Sequence, residues 1–233
     1  MDEKICVVTG VGPGTGAALV RRFAAGGHRV AMIARSADRL SELAGTIPGA
    51  RGYAADVGDA APVRDAFARI RSDLGPVDTL LYNAGSGVFA PFLDTPPELF
   101  EAAWRVNALG LLLCAREVAP AMVEAGRGAI LVTGATASLR GGVNFAAFAP
   151  AKAAQRSLAQ SMARSLGPHG IHVGYVIVDG VIDIPITRAM LSDRPDDFFL
   201  SPDAIAETFW QLAHQDRSAW TFELDVRPFG EKW

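Results

Sequence analysis

The chain has 233 residues, half of them apolar and a fifth charged, with a formal net charge of -3; this is the balance of one compact domain and excludes disordered and fibrous classes. So small a negative charge offers no broad attraction to nucleic acid or anionic lipid, and neither is expected as a partner. Met1-Asp2-Glu3-Lys4 leads into a short apolar run, too acidic at its start for a secretory leader, and no apolar run approaches the roughly 18 residues a membrane span needs.

In chain order, β-type runs fall at 5–9, 29–34, 50–54, 77–82, 129–133, 172–178 and 220–226. Most are apolar without polar alternation, as in strands of a parallel sheet covered on both faces. Helical stretches fill the intervals. Over 59–74, Val63, Phe67, Ile70 and Leu74 recur at spacings of four, three and four, with Asp59 placed to cap the start. Thr95-Pro96-Pro97-Glu98 has capping-box spacing with proline at the first helical position, ahead of a helix to about residue 119. No repeat or linker interrupts the alternation, so the expectation is an α/β single domain over 1–233: a doubly wound parallel sheet of about seven strands with helices on both faces. The stretch 183–200 has weak periodicity and several prolines and aspartates, and is expected to be a mobile substrate lid. Cys6 and Cys114 lie in apolar stretches, which suits two buried thiols in a reducing cytoplasm.

After the first strand comes Thr9-Gly10-Val11-Gly12-Pro13-Gly14-Thr15-Gly16, directly ahead of a helical stretch. Glycines there let the backbone approach a pyrophosphate, and the helix start presents free N–H groups and a positive dipole to it. The bland reading is an ordinary glycine-rich turn; strand before and helix after favour a dinucleotide. About 20 residues further on, where a carboxylate would accept from a free ribose 2'-hydroxyl, the chain has Arg35, which suits a 2'-phosphate and favours NADP over NAD. A solvated turn residue is the alternative.

These residues, with others spread from Thr9 to at least Thr187, resemble the short-chain dehydrogenase/reductase family, whose sheet is Rossmann-type. The resemblance rests on Thr9-Gly10-x-x-x-Gly14-x-Gly16, on Asp56-Val57 after the third strand, and on Asn83-Ala84-Gly85 after the fourth. It implies that Gly10, Gly12, Gly14, Thr15 and Gly16 hold the pyrophosphate end and that Asp56 and Val57 lie near adenine. Asn83, Ala84, Gly85 and Val106 are further nucleotide contacts by the same likeness, and Gly180 and Ile182 fall where the nicotinamide lies. Asn107 matches an asparagine that holds a catalytic water, and Lys152 a lysine that contacts the nicotinamide ribose.

The implied reaction is hydride transfer between nicotinamide and a carbonyl or alcohol, with the tyrosine of Tyr-x-x-x-Lys as proton donor or acceptor. Here that motif reads Phe148-Ala149-Pro150-Ala151-Lys152, and thirteen residues back the position of the carbonyl-polarising serine holds Ala135. A general acid contributes roughly 10² to 10⁴ in rate, so ordinary ketone reduction should be crippled unless other groups substitute. Thr136, Ser138, or Lys152 acting through water held by Asn107 are the candidates; loop hydrogen bonding is the favoured account of the two hydroxyls. Asp179 and Asp183 flank the nicotinamide end as possible substrate contacts or turn formers, and the four histidines have no metal-ligand spacing.

Three functions remain open: an NADP(H)-dependent oxidoreductase with an unusual proton path or an activated C=C or imine substrate, an inactive NADP(H)-binding sensor or scaffold, and a non-redox hydratase or isomerase. By resemblance, pairing through 97–119 and 147–166 implies a homodimer or homotetramer. Specificity is expected in loops 86–94, 136–147 and 183–200, whose apolar residues suggest a small, largely apolar substrate.

Overall fold

The computed structural model describes residues 3–87 and 89–231; Met1 and Asp2 of the acidic start, and Val88 of the 86–94 loop, lie outside the described residues. Seven strands make one parallel sheet: β1 (Ile5–Thr9), β2 (Arg29–Ala34), β3 (Ala50–Ala54), β4 (Thr79–Tyr82), β5 (Gly128–Ala135), β6 (Ile171–Val178) and β7 (Glu223–Val226). Their spatial order is β3-β2-β1-β4-β5-β6-β7. The chain runs outward in opposite directions from β1 and β4, which leaves a crevice beyond their C-terminal ends.

The helices are α1 (Thr15–Ala25), α2 (Ala37–Thr46), α3 (Ala60–Asp73), α4 (Pro97–Trp104), α5 (Gly110–Ala125), α6 (Phe148–Leu166), α7 (Pro185–Met190) and α8 (Pro202–Ala213). Alternation along β1 shows how two cores form. Ile5 and Val7 join Phe67 and Ile70 of α3, Leu111 and Val118 of α5 and Ala159 of α6. Cys6 and Val8 face the other way, onto Leu19 and Phe23 of α1, Leu40 of α2 and Ile205 and Phe209 of α8. Since successive strand side chains point to opposite faces, a continuous apolar strand supplies both layers at once.

Several boundaries differ from the sequence expectation for local reasons. The fourth strand starts at Thr79 and not at 77, because the Asp78 carboxylate takes the Ile5 amide at 2.9 Å. The last starts at Glu223 and not at 220, because the Thr221 amide donates to Gln215 Oε1 at 2.8 Å. Asp59 occupies the cap position of α3 but makes no side-chain capping bond. The capping box at Thr95 does not form either: its hydroxyl donates back to Pro91 O at 2.8 Å, and Pro96 is the cap residue of α4.

α4 and α5 are halves of one helix, Pro97–Ala125, joined by a π-helical turn over Arg105–Leu109. By length and composition alone this helix is apolar enough to cross a membrane, although Arg105, Arg116 and Glu117 interrupt its apolar runs. Its Ala103, Asn107, Leu111, Cys114, Val118 and Met122 are buried in the protein, which is the behaviour of a core helix. The segment 183–200 is not featureless: it holds α7, a 3₁₀ turn at Asp196–Phe198, and a two-residue pairing of Val181–Ile182 with Phe199–Leu200. Arg188 clamps it by donating to Asp183 at 2.7 Å and Asp196 at 2.5 Å.

Candidate active site

The turn after β1 is built by close backbone approach. Gly10 has φ +70°, and a Cβ on it would fall 2.4 Å from the Cα of Ala84; a Cβ on Gly16 would fall 2.5 Å from Gly10 O. Any larger residue at either position would separate the turn from β4 or α1 from the turn. α1 begins with Gly14 as cap residue and no side-chain cap; the Ala17 amide donates to Gly12 O at 3.0 Å, which leaves the Thr15 and Gly16 amides of the first turn for an anion. Thr15 Oγ1 is buried there with no hydrogen-bond partner among the described residues. From the other side, Ile184 reaches the turn: a Cβ on Gly14 would meet its Cγ2 at 2.5 Å.

Beyond the C-terminal ends of β1 to β4 lies a cavity of about 880 Å³. It gathers Gly10, Gly12, Arg35, Asp56, Val57, Ala84, Gly85 and Val106 from the sequence-derived set. Gly14, Thr15, Gly16, Asn83, Asn107, Lys152, Gly180 and Ile182 are not among its walls; Gly180 packs instead toward Pro228 and Leu200. The walls also include Ser36 and Arg39, which sequence reading missed. Ser36 caps α2 by accepting from the Arg39 amide at 3.3 Å, and both arginines are exposed with no carboxylate partner among the described residues. The four-residue spacing of two arginines across a helix start was the available signal. Asp56 Oδ1 accepts from the Gly58 amide at 2.9 Å, and Arg105 pairs with Glu101 at 2.9 Å.

Asn83 is consumed in holding the strand ends together. Its Nδ2 donates to Gly10 O at 3.0 Å and its Oδ1 accepts from Thr133 Oγ1 at 3.0 Å. Asn107 sits in the π turn, an insertion that re-aims side chains in a helix. Its Nδ2 donates to Ala103 O at 2.9 Å, while its Oδ1 is buried and without a partner among the described residues. Lys152 is 5% exposed and donates to Thr133 O at 2.8 Å and Gln155 Oε1 at 3.1 Å. Burial without a carboxylate pushes its ammonium down to about 7.

The Gln155 side chain links the backbone carbonyl of Asn107 to Lys152, its Nε2 donating to Asn107 O at 3.0 Å and its Oε1 accepting from Lys152, while Asn107 Oδ1 and Lys152 Nζ both border the space over Gly85, 3.4 and 3.7 Å from a Cβ built there. Gln155 lies three residues beyond Lys152, on the same helical face, and could have been noticed on that ground.

The substitute hydroxyls are already engaged. Ser138 donates to Ala135 O at 2.7 Å, and Thr136 to Asp179 Oδ1. Asp179 also faces Arg227 at 3.6 Å, and Asp183 belongs to the Arg188 clamp. The chain's three tyrosines, Tyr53, Tyr82 and Tyr175, are all fully buried. Phe148 instead packs into a cluster with Phe89 and Phe145, ring centroids 5.6 and 6.0 Å away. The region therefore offers a cradle for a phosphorylated nucleotide, a dry amine and an aromatic wall, without a phenol at its surface.

The sequence profile of the short chain dehydrogenases matches residues 4–195. Carbonyl reductase (NADPH) 2 of Sus scrofa is 34% identical over 171 residues, 73% of this chain and 68% of that protein. A short-chain dehydrogenase structure from Rhodopseudomonas palustris is 35% identical with TM-score 0.83, covering 98% of this chain and 100% of the other. A metagenomic short-chain oxidoreductase in complex with NADP is 28% identical with TM-score 0.82, covering 97% of each chain. Sequence profile, curated relative and structural neighbours agree with the sheet order and the glycine turn that the chain builds, and the protein belongs to the short-chain dehydrogenase/reductase family.

Proposed function

We propose that the protein is an NADP(H)-dependent oxidoreductase acting on a small, largely apolar carbonyl, enone or imine by a proton path that does not use a tyrosine. The observation that carries the cofactor half is the pair of unpartnered arginines, Arg35 and Arg39, on the wall of the 880 Å³ cavity. A 2'-phosphate answers both cations and the Ser36 cap, whereas NAD offers them only a hydroxyl. The partnerless buried Thr15 hydroxyl at the start of α1 and the partnerless Asn107 Oδ1 are the polar atoms a nucleotide would satisfy.

In this reading the glycine turn and α1 bind the pyrophosphate, Asp56 and Val57 flank the adenine, and Gly85, Val106, Gly180 and Ile182 border the path to the nicotinamide. Lys152 orients the nicotinamide ribose. The cofactor supplies or accepts a hydride at the substrate carbon. The chain's task is to hold and desolvate the partners. With Phe148 and Ala135 at the positions where the family resemblance places tyrosine and serine, a simple ketone finds no phenol to protonate its oxygen. A protonated imine needs no added proton on reduction, and an enone can take its proton from water. The Phe89, Phe145 and Phe148 rings, with Leu139 and Ile186 exposed on the neighbouring loops, suit an apolar substrate.

A second reading, a nucleotide-binding sensor without turnover, is favoured by Phe148 itself, whose ring is packed among other rings where a reacting oxygen would need a donor. The test is a panel of ketones, enones and cyclic imines assayed by NADPH consumption: turnover of the enone or imine class supports the enzyme, and silence across the panel with tight NADPH binding supports the sensor. Exposed Phe100, Trp104, Leu112 and Val123 along α4 and α5 support a homodimer or homotetramer through this face, and two free buried thiols suit the cytoplasm.

A further inference from the structure

The Gln155 carboxamide is completely buried and joins three elements. Its Nε2 donates to Asn107 O in the π turn at 3.0 Å, and its Oε1 accepts from Lys152 Nζ on α6 at 3.1 Å and from the Tyr175 hydroxyl on β6 at 3.2 Å. The orientation is fixed by the partners: reversed, the amide would set its NH₂ against an ammonium and its oxygen against a carbonyl. Had Gln155 only tied helix to sheet, a carbonyl and a hydroxyl would have been enough. It also grips the one ammonium of the site.

That ammonium has three N–H donors. One goes to Thr133 O and one to Gln155; the third has no acceptor among the described residues. A Cβ built on Gly85 would lie 3.7 Å from Lys152 Nζ and 3.4 Å from the partnerless Asn107 Oδ1. A free donor and a free acceptor thus flank one spot, the pattern a hydroxyl-bearing ligand satisfies.

We propose that Gln155 is a positioning residue: it ties Lys152 to the Asn107 carbonyl and aims the remaining ammonium N–H at the space over Gly85. What occupies the space rests on the cofactor reading above; the grip on Lys152 does not. The groups that face the amine are Thr133 from β5, Asn107 from the π turn, and Gln155 and Phe148 from α6, with titratable Tyr175 from β6 joined through Gln155. Arg156 and Glu223, which act on Tyr175, are paired at 2.5 and 2.8 Å, and burial is what lowers Lys152.

The sequence contains three lysines, Lys4, Lys152 and Lys232, so ¹³Cε-lysine NMR of the full chain reads Lys152 directly. Gln155→Met keeps the volume and removes the acceptor, and its Lys152 midpoint is expected to fall by about one pH unit, the loss of one charge-assisted hydrogen bond. Gln155→Glu sets a carboxylate beside the amine, and its midpoint is expected to rise by about one unit or more. Should the Met variant not fold, the Glu variant alone decides. A midpoint the same as wild type in the folded variants overturns the proposal, because a merely structural amide would change stability and leave this titration unmoved. NADPH affinity measured across the same pH range separates the two ideas: an affinity that ignores the Lys152 midpoint, with the NMR shifts as expected, defeats the cofactor role of Lys152 and leaves the Gln155 assignment standing.

Discussion

Replacing Lys152 by methionine should remove a definite pH dependence of stability. Lys152 is buried with no carboxylate partner, and its amine is displaced from 10.5 down to about 7 in the folded protein. Between those values the unfolded chain holds a proton the folded chain has released, so stability from this group rises with pH and is lost as pH falls toward 7. From pH 6 to pH 9 the gain works out to about 2.7 kcal/mol, roughly two pKa units at 1.36 kcal/mol each. Lys152→Met lacks that gain, although it leaves Thr133 O and Gln155 Oε1 without a donor and carries a pH-independent penalty. Urea unfolding of both proteins at pH 6 and pH 9 isolates the effect, since every other titrating group cancels in the comparison. The wild-type advantage over the variant should grow by roughly 2 to 3 kcal/mol. A difference that stays constant across the two pH values would mean that the amine titrates normally and is not buried dry.

Other perturbations test other parts. The double change Ala135→Ser with Phe148→Tyr should give a dormant site measurable ketone reductase activity, on the order of 10²-fold or more above wild type; no gain in a protein that already turns over enones or imines would exclude dormancy. Gly16→Ala drives a methyl against Gly10 O at 2.5 Å and should cost about 1–3 kcal/mol, a fall of several degrees in Tm by calorimetry, with weakened nucleotide binding. Trp104→Glu, on the exposed α4 face, should shift the mass seen by light scattering toward the monomer, and an unchanged mass would place the interface elsewhere.

The architecture was legible because a buried parallel sheet writes itself as largely apolar runs, so β1 and β2 fall where their side chains alone place them. The strand ends that moved did so through side-chain competition: Asp78 for the Ile5 amide, Gln215 for Thr221. No local pattern announces a partner 73 residues away. The glycine turn was readable since its backbone contacts demand glycine at Gly10 and Gly16. Arg39 and Gln155 were missed because their meaning comes from what faces them: a cavity wall in one case, an ammonium and a carbonyl in the other. The engagement of Thr136 by Asp179, across 43 residues, was likewise beyond any spacing rule, although loop hydrogen bonding was the expectation for that hydroxyl.

The central claim is a nucleotide site with a 2'-phosphate clamp, and titrating NADPH and NADH into the wild-type protein and Arg35→Ala tests it most directly. Wild type should bind NADPH at least about tenfold more tightly than NADH, equivalent to 1.4 kcal/mol, and Arg35→Ala should lose most of that preference while keeping its NADH affinity. Equal affinity for both nucleotides in the wild type, or binding of neither, would contradict it.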